Sequence, residues 1–159
     1  MGKIKYLFLA LLLASPAWSK TKLTAMPAPS VVVYNISQNK IEYARNADIV
    51  RPIASVTKIM TAMVALDYDK DLARHLRLST RVSGHLPMQN YNRWQLLQAM
   101  LVKSDNAAAE TLAADYPGGR TAFIERMNSQ AQDWGLTNTK FEDPTGIGAG
   151  NTSNVKDLA

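Results

Sequence analysis

The 159-residue chain is 47% hydrophobic and 19% charged, contains no cysteine and has a formal net charge of +5. That apolar content excludes a disordered chain, and the length fits one domain with a core of its own. Positive residues alternate with acids in EYARNAD, DYDKDLARHLR and KFEDP, the pattern of a solvated surface and not of a phosphate-tracking stripe, which argues against nucleic acid as a partner.

The N-terminus runs MGKIK, then the apolar YLFLALLLA, then SPAWS. These are the charged, apolar and small-residue parts of a secretory signal peptide, expected over residues 1–19 with cleavage after Ser19. Removing Lys3 and Lys5 leaves a mature charge of about +3. The apolar run falls well short of the roughly 20 residues that span a bilayer as a helix, and no later segment approaches that length. No transmembrane anchor is therefore expected, and the protein is placed outside the cytoplasm, in the periplasm or cell envelope. Without cysteine it has neither disulfides nor a thiol for lipid attachment. Residues 20–30, KTKLTAMPAPS, read as a linker, and residues 31–159 as the domain.

Within the domain, VVVYNI and KIEYAR flank SQN and predict a hairpin whose first strand, nearly all apolar, is expected to be buried on both faces. Residues 55–66, SVTKIMTAMVAL, predict a helix apolar almost all round, running through the middle of the domain with Lys58 as its one charge. The next stretch, DYDKDLARHLRL, reads loosely as a short helix, and STRVSGHLPMQNYN as an irregular or hairpin excursion. RWQLLQAMLVK predicts a helix with Trp94, Leu97, Met100 and Leu101 on one stripe. SDN interrupts it, and AAAETLAADY resumes a helix that ends at Pro117-Gly118-Gly119. Thr121 is a candidate cap for a helix carrying Phe123, Met127, Ala131 and Trp134, closed by Gly135 in a left-handed conformation. Trp94 and Trp134 are both expected in the core. NTSNVKDLA reads as the start of one more helix, with Thr152 and Ser153 as caps.

Two short segments carry chemistry. Ser55 and Lys58 stand three apart at the start of the apolar helix, on one face. A serine becomes a nucleophile when a neighbour takes its proton, and a lysine can do so when burial lowers its pKa from about 10.4. The same spacing also fits a capping serine followed by a snorkelling lysine. In Lys103-Ser104-Asp105-Asn106, the helix break leaves Ser104 free to relay a proton and Asn106 free to bind a substrate amide while positioning Lys58. An ordinary capping turn accounts equally for these residue types, and capping is the role assigned to Asp105. His75 and His85 have no partner at ligand spacing, so neither a metal nor another cofactor is indicated.

Together, SVTK and SDN, about 50 residues apart, resemble the motif set of the active-site serine enzymes that include penicillin-binding proteins and serine β-lactamases. RPIASVTKIMTAMVALD, SDN followed by AAAETLA, YPGG with AFIERMN, and TKFEDPTG are similar to the low-molecular-mass D-Ala-D-Ala carboxypeptidases and endopeptidases, a likeness covering nearly all of residues 30–159. RPIAS and YPGG are most similar to the endopeptidase branch, which cuts peptidoglycan cross-links.

The resemblance implies an α/β (α+β) fold of the β-lactamase/transpeptidase type, a helical cluster packed on an antiparallel sheet. It makes Ser55 the acylated nucleophile, Lys58 its general base, Ser104 a proton shuttle and Asn106 a ligand for Lys58 and substrate, with the Ser55 N–H as half of an oxyanion hole. Peptidoglycan peptides would be the substrates and β-lactams the inhibitors; a serine β-lactamase, or a wall-binding fragment without activity, is the alternative. The family's third box, Lys-Thr-Gly or Lys-Ser-Gly, is not found, since Pro144-Thr145-Gly146 lacks the cation and lies in FEDPTG, which matches an earlier family segment. The chain is accordingly expected to be the N-terminal part of the catalytic domain, without the C-terminal strands and weakly stable by itself.

Overall fold

The computed structural model describes residues 27–79 and 81–159; the signal segment and most of the linker lie outside the described residues. The last linker residues are tied to the domain, Pro29 through its carbonyl to Asn46 Nδ2 at 2.8 Å and Ser30 Oγ to Arg51 Nε at 3.0 Å.

Strand β1 (Val31–Asn35) pairs antiparallel with β2 (Lys40–Arg45), from Val31 opposite Arg45 to Asn35 opposite Lys40. Asn35 closes the hairpin by accepting the Gln38 N–H at 3.0 Å. The hairpin is where expected, but Val31, Val32 and Val33 are half-buried, not enclosed. Neither strand pairs with a third among the described residues, so the hairpin is a two-stranded sheet. Strand β3 (Arg51–Pro52) then leads through a 3₁₀ turn (Ala54–Val56) into helix α1 (Thr57–Tyr68).

Past α1 the structure departs from the expected short helix. Asp69 accepts the Asp71 N–H at 2.8 Å and Asp71 accepts the Ala73 N–H at 3.0 Å. Two successive carboxylates thus satisfy backbone donors locally and stop helix continuation. The chain instead forms β4 (His75–Arg77), which pairs with β5 (Asn90–Asn92). Helix α2 (Arg93–Lys103) starts sharply because Asn92 and Gln95 form a reciprocal capping box. It ends at Ser104, whose backbone is left-handed at φ 56°. Helix α3 (Asn106–Ala114) begins at once, capped by Asp105. Helix α4 (Gly119–Asp133) starts two residues before Thr121, with left-handed Gly118 at its N-cap, so the threonine lies in the first turn and does not cap it. Gly135 is left-handed at φ 71°, as expected.

The four helices share one core. Leu96, Met100, Ala108, Ala109, Ala113, Phe123 and Met127 are all sealed from solvent, and the alanines of α3 let its backbone approach α1, α2 and α4 closely. Tyr116 bridges Tyr68 and Phe123 edge-on, with ring centroids 5.1 and 5.6 Å away. Both tryptophans depart from expectation: Trp94 is 52% and Trp134 47% exposed. On α2 the buried face is that of Leu96, Leu97 and Met100, leaving Trp94 and Leu101 outside.

Helix α1 is not enclosed all round either. Thr57, Lys58, Met60, Thr61, Val64 and Ala65 are buried, while Val56, Ile59 and Met63 line an open groove of about 250 Å³ with Trp134, Leu136 and Leu158. The polar threonines go inward because they have partners there: Thr61 Oγ1 donates to the Pro144 carbonyl at 2.7 Å, and Thr57 Oγ1 accepts from Asn151 at 2.9 Å.

Residues 152–153 form a strand, not helix caps. This β6 (Thr152–Ser153) pairs with β3, and Thr152 exchanges backbone bonds with Lys140 at 2.8 and 2.9 Å. Those bonds require extended backbone. They also bring the segment after α4 against the entrance to α1.

At the opposite end of α1, Arg93 is fully buried. It donates to Asp115 at 2.7 Å and to the Ala65 and Asp69 carbonyls at 2.5 and 3.0 Å, joining the ends of α1 and α3 to the start of α2. Arg74 also holds Asp115, through a bond of 2.8 Å. Arg93→Ala is expected to destabilise the full-length protein by about 3 kcal/mol, the low end for breaking a buried pair because Asp115 keeps one cation. Urea unfolding with an unchanged m-value checks it.

Candidate active site

Ser55 sits in the 3₁₀ turn that opens into α1, exposed, while Lys58 one turn on is only 2% exposed. The entrance is held tightly. Ile53 donates its N–H to the Asn151 carbonyl at 3.0 Å, and Ala54 then takes a left-handed backbone at φ 45°. That conformation is costly for a residue with a Cβ, and it turns the chain so that the next residue, Ser55, faces the break between α2 and α3.

There three side chains meet. Lys58 Nζ lies 3.1 Å from Ser55 Oγ, and Ser104 Oγ lies 2.8 Å from the same oxygen. The left-handed backbone at Ser104 places its hydroxyl here, and Asp105 stabilises that break from beneath. Fully buried, Asp105 accepts the Ala108 N–H at 2.8 Å, the Leu86 N–H at 3.1 Å and the His85 N–H. Asp105 therefore caps α3, as expected, and also clamps the β4–β5 segment. The His85 imidazole stands 3.7 Å from the same carboxylate. Asn106 is half-buried at the first position of α3, but no hydrogen bond joins it to Lys58 among the described residues.

The acceptor that Lys58 does find comes from a segment the sequence reading assigned no role. Lys58 Nζ donates to the Thr145 carbonyl at 2.7 Å. Asp143 shapes this loop, with one carboxylate oxygen accepting Thr145 N–H and Oγ1 at 2.6 Å each and Gly146 N–H at 2.7 Å. Gly146 has φ 78°, and a Cβ there would fall 1.8 Å from the Ala54 carbonyl oxygen. Asn151 binds loop to helix, receiving the Glu142 and Asp143 N–H groups at 2.8 and 3.1 Å and donating to Thr57 Oγ1 and the Asp143 carbonyl. The available sequence signals were the Asp-x-Thr-Gly turn pattern and the interior asparagine; Pro144-Thr145-Gly146 contributes backbone beneath Lys58, not a cationic subsite.

Burial pushes the Lys58 pKa below the ordinary lysine value, against the opposing charges of Asp143 and Asp105. Burial also pushes Asp143 upward, but the bonds from Thr145, Gly146 and Gly148 outweigh it and hold the carboxyl below its usual value. A lysine so placed spends more time neutral, and a neutral amine 3.1 Å from a hydroxyl can accept its proton. Among the described residues no group of three or more His, Cys, Asp or Glu side chains is placed to hold a metal ion. No helix among them is long and apolar enough to cross a membrane.

A family model described as D-alanyl-D-alanine carboxypeptidase matches residues 17–159. The chain is 36% identical over 174 residues to a D-alanyl-D-alanine endopeptidase of Escherichia coli, covering 98% of this chain and 56% of that one. It is 37% identical to the enzyme of the same description from Pseudomonas aeruginosa, covering 81% and 44%. Among solved structures, ampicillin-bound penicillin-binding protein D2 of Listeria monocytogenes superposes with a TM-score of 0.74 at 31% identity, over 82% of this chain and 58% of that one. A D-alanyl-D-alanine carboxypeptidase of Mycobacterium tuberculosis gives 0.74 at 31%, over 83% and 53%. The chain spans about half the length of the curated relatives it matches.

Proposed function

The chain belongs to the D-alanyl-D-alanine carboxypeptidase family of serine peptidases, and from that premise we propose that it serves an exported enzyme that cleaves D-Ala peptides of peptidoglycan through an acyl-serine. The observation that carries this reading is the pair of contacts at Ser55 Oγ, 3.1 Å to a buried Lys58 and 2.8 Å to Ser104. Residues 31–159 then supply the part of a transpeptidase-like catalytic domain that bears the nucleophile, preceded by a cleaved signal peptide and a linker that deliver it to the periplasm.

In this mechanism neutral Lys58 takes the Ser55 proton as Oγ attacks the D-Ala carbonyl carbon. The tetrahedral oxyanion is received in part by the Ser55 N–H. Its collapse breaks the peptide bond, and the proton passes through Ser104 to the leaving amine. Lys58, neutral again, then takes a proton from the attacking water and delivers it to Ser55 Oγ as the ester bond breaks, restoring the serine hydroxyl. Asn106, whose carboxamide is not engaged by Lys58, is available to a substrate amide. A β-lactam presents a strained amide to the same oxygen and would stall as the acyl-serine, in keeping with a neighbour in the ampicillin-bound form. Cross-linked peptides are the favoured substrate, because the E. coli and P. aeruginosa relatives at 36 and 37% identity are described as endopeptidases whereas relatives described as carboxypeptidases match at 27–32%.

Incubating the full-length protein with cross-linked dimeric muropeptides, D-Ala-D-Ala-ending monomers and benzylpenicillin tests this. Dimer cleavage is expected to be fastest, with penicillin giving a single slow turnover. Rapid repeated turnover of penicillin with both muropeptides untouched would move the assignment to β-lactamase.

A further inference from the structure

We propose that Asp143 is a positioning residue for proton transfer at Ser55: its carboxylate fixes the Thr145 carbonyl on Lys58 Nζ and supplies the negative charge against which Lys58 must lose its proton. The proposal rests on the acyl-serine reading. Three contacts build the first half of it, Asp143 Oδ1 holding Thr145 N–H, Thr145 Oγ1 and Gly146 N–H at 2.6–2.7 Å. With both amides and the hydroxyl captured, the Thr145 carbonyl is left pointing at Lys58 Nζ, 2.7 Å away. Asn151 fixes the other end of the same carboxylate's residue, bonding the Asp143 N–H and carbonyl at 3.1 and 2.8 Å and reaching Thr57 on α1. Asp143 therefore cannot move independently of the helix that carries Lys58.

The second half is electrostatic. The charged groups facing Lys58 are Asp143 from the loop after α4 and Asp105 at the start of α3, with His85 of the β4–β5 segment beside Asp105; the first turns of α1 and the 3₁₀ turn contribute none. Burial favours the neutral amine and both carboxylates favour the charged one. Asp105 is committed to capping α3 and to the His85 and Leu86 amides. Asp143 has no such element to hold, yet its own hydrogen bonds keep it ionised. Its charge favours the protonated, bonded form of Lys58 and so opposes the burial that favours the neutral base.

Charge and bracing separate by substitution. In Asp143→Asn the oxygen that takes the Thr145 and Gly146 bonds is retained and the charge is lost. Asp143→Ser is a second neutral variant, small enough to fit if the amide crowds Gly148. Asp143→Glu keeps the charge and disturbs the reach. In the full-length protein, Lys58 titration is followed by NMR of a ¹³Cε-labelled side chain, and the acylation rate by a fluorescent penicillin between mildly acidic and alkaline pH.

Both neutral variants are expected to move the Lys58 titration and the acylation midpoint to lower pH, while Glu leaves the titration near that of the native protein. An acylation maximum reduced about tenfold or more in Ser, and less in Asn, is expected from loss of bracing. A Lys58 titration at the same pH in the native protein and both neutral variants would overturn the proposal, as would neutral and Glu variants that shift alike. Because the NMR titration needs no acylation, a native protein that takes no penicillin would refute the acyl-serine reading and still decide what Asp143 does to Lys58.

Discussion

Full-length protein carrying Ser55→Ala takes up no fluorescent penicillin, and carrying Lys58→Met it takes it up at least about 10²-fold more slowly, the loss expected for a positioned base. Methionine is the better probe at 58 because it fills the volume of a side chain that is almost wholly buried. Losing the bond to the Thr145 carbonyl leaves a buried acceptor unpaired, at about 1–3 kcal/mol, so folding must be checked by circular dichroism beside the labelling. Mass spectrometry of the native adduct should place the acyl group on the peptide containing Ser55. Undiminished labelling in Ser55→Ala would sink the nucleophile assignment.

The pH dependence has a fixed sign. In the proposed mechanism Lys58 acts as a base when neutral, so the acylation rate is expected to rise with pH as it deprotonates, with a midpoint that burial sets below the ordinary lysine value. The same shift contributes to stability in the opposite sense from a salt bridge. The unfolded chain binds the Lys58 proton more readily than the folded one, so this residue's contribution improves as pH climbs from the folded towards the unfolded value.

The contact of Ser55 with Lys58 was legible because it is local: three residues apart near a helix start, two side chains share a face whatever the rest of the fold does. Ser104 was legible for a related reason, since Ser-Asp-Asn between two helical patterns has to be a turn, and a turn frees side chains. What buries Lys58 was not legible, because the Thr145 carbonyl comes from 87 residues away and a backbone atom leaves no mark on sequence. The same limit applied to α1. When nearly every position is apolar, periodicity cannot say which face is covered, and the inward placement of Thr57 and Thr61 is decided by Asn151 and Pro144. Trp94 was misplaced because the apolar residues of α2 fit two overlapping stripes, and the packing of α3 selects the one through Leu96 and Met100. Segment 67–78 failed differently: its apolar spacing allowed a helix, but the Asp69 and Asp71 side chains compete for the backbone donors and win.

Gly146→Ala is expected to cost about 10²-fold or more in acylation although it touches neither Ser55 nor Lys58. Two penalties combine. The residue has φ 78°, a left-handed backbone that costs an alanine roughly 1–2 kcal/mol. Its new Cβ would also lie 1.8 Å from the Ala54 carbonyl oxygen and 2.3 Å from the Ala54 carbonyl carbon. Those are backbone atoms and cannot rotate away. Relief means moving either the 143–146 loop, which carries the acceptor for Lys58, or the turn at Ala54, which is already left-handed and directly precedes the nucleophile. A displacement on the order of 1 Å at either place is enough for a loss of about 10²-fold. Gly135→Ala is the matched control, because Gly135 has a similar φ of 71° but nothing within 4 Å of the added carbon. It should lose a comparable increment of stability in urea and acylate at the native rate. Stopped-flow labelling of the two variants separates conformational cost from displacement of the site; a Gly146→Ala protein that acylates as fast as Gly135→Ala would show that the loop and the nucleophile turn are not rigidly coupled.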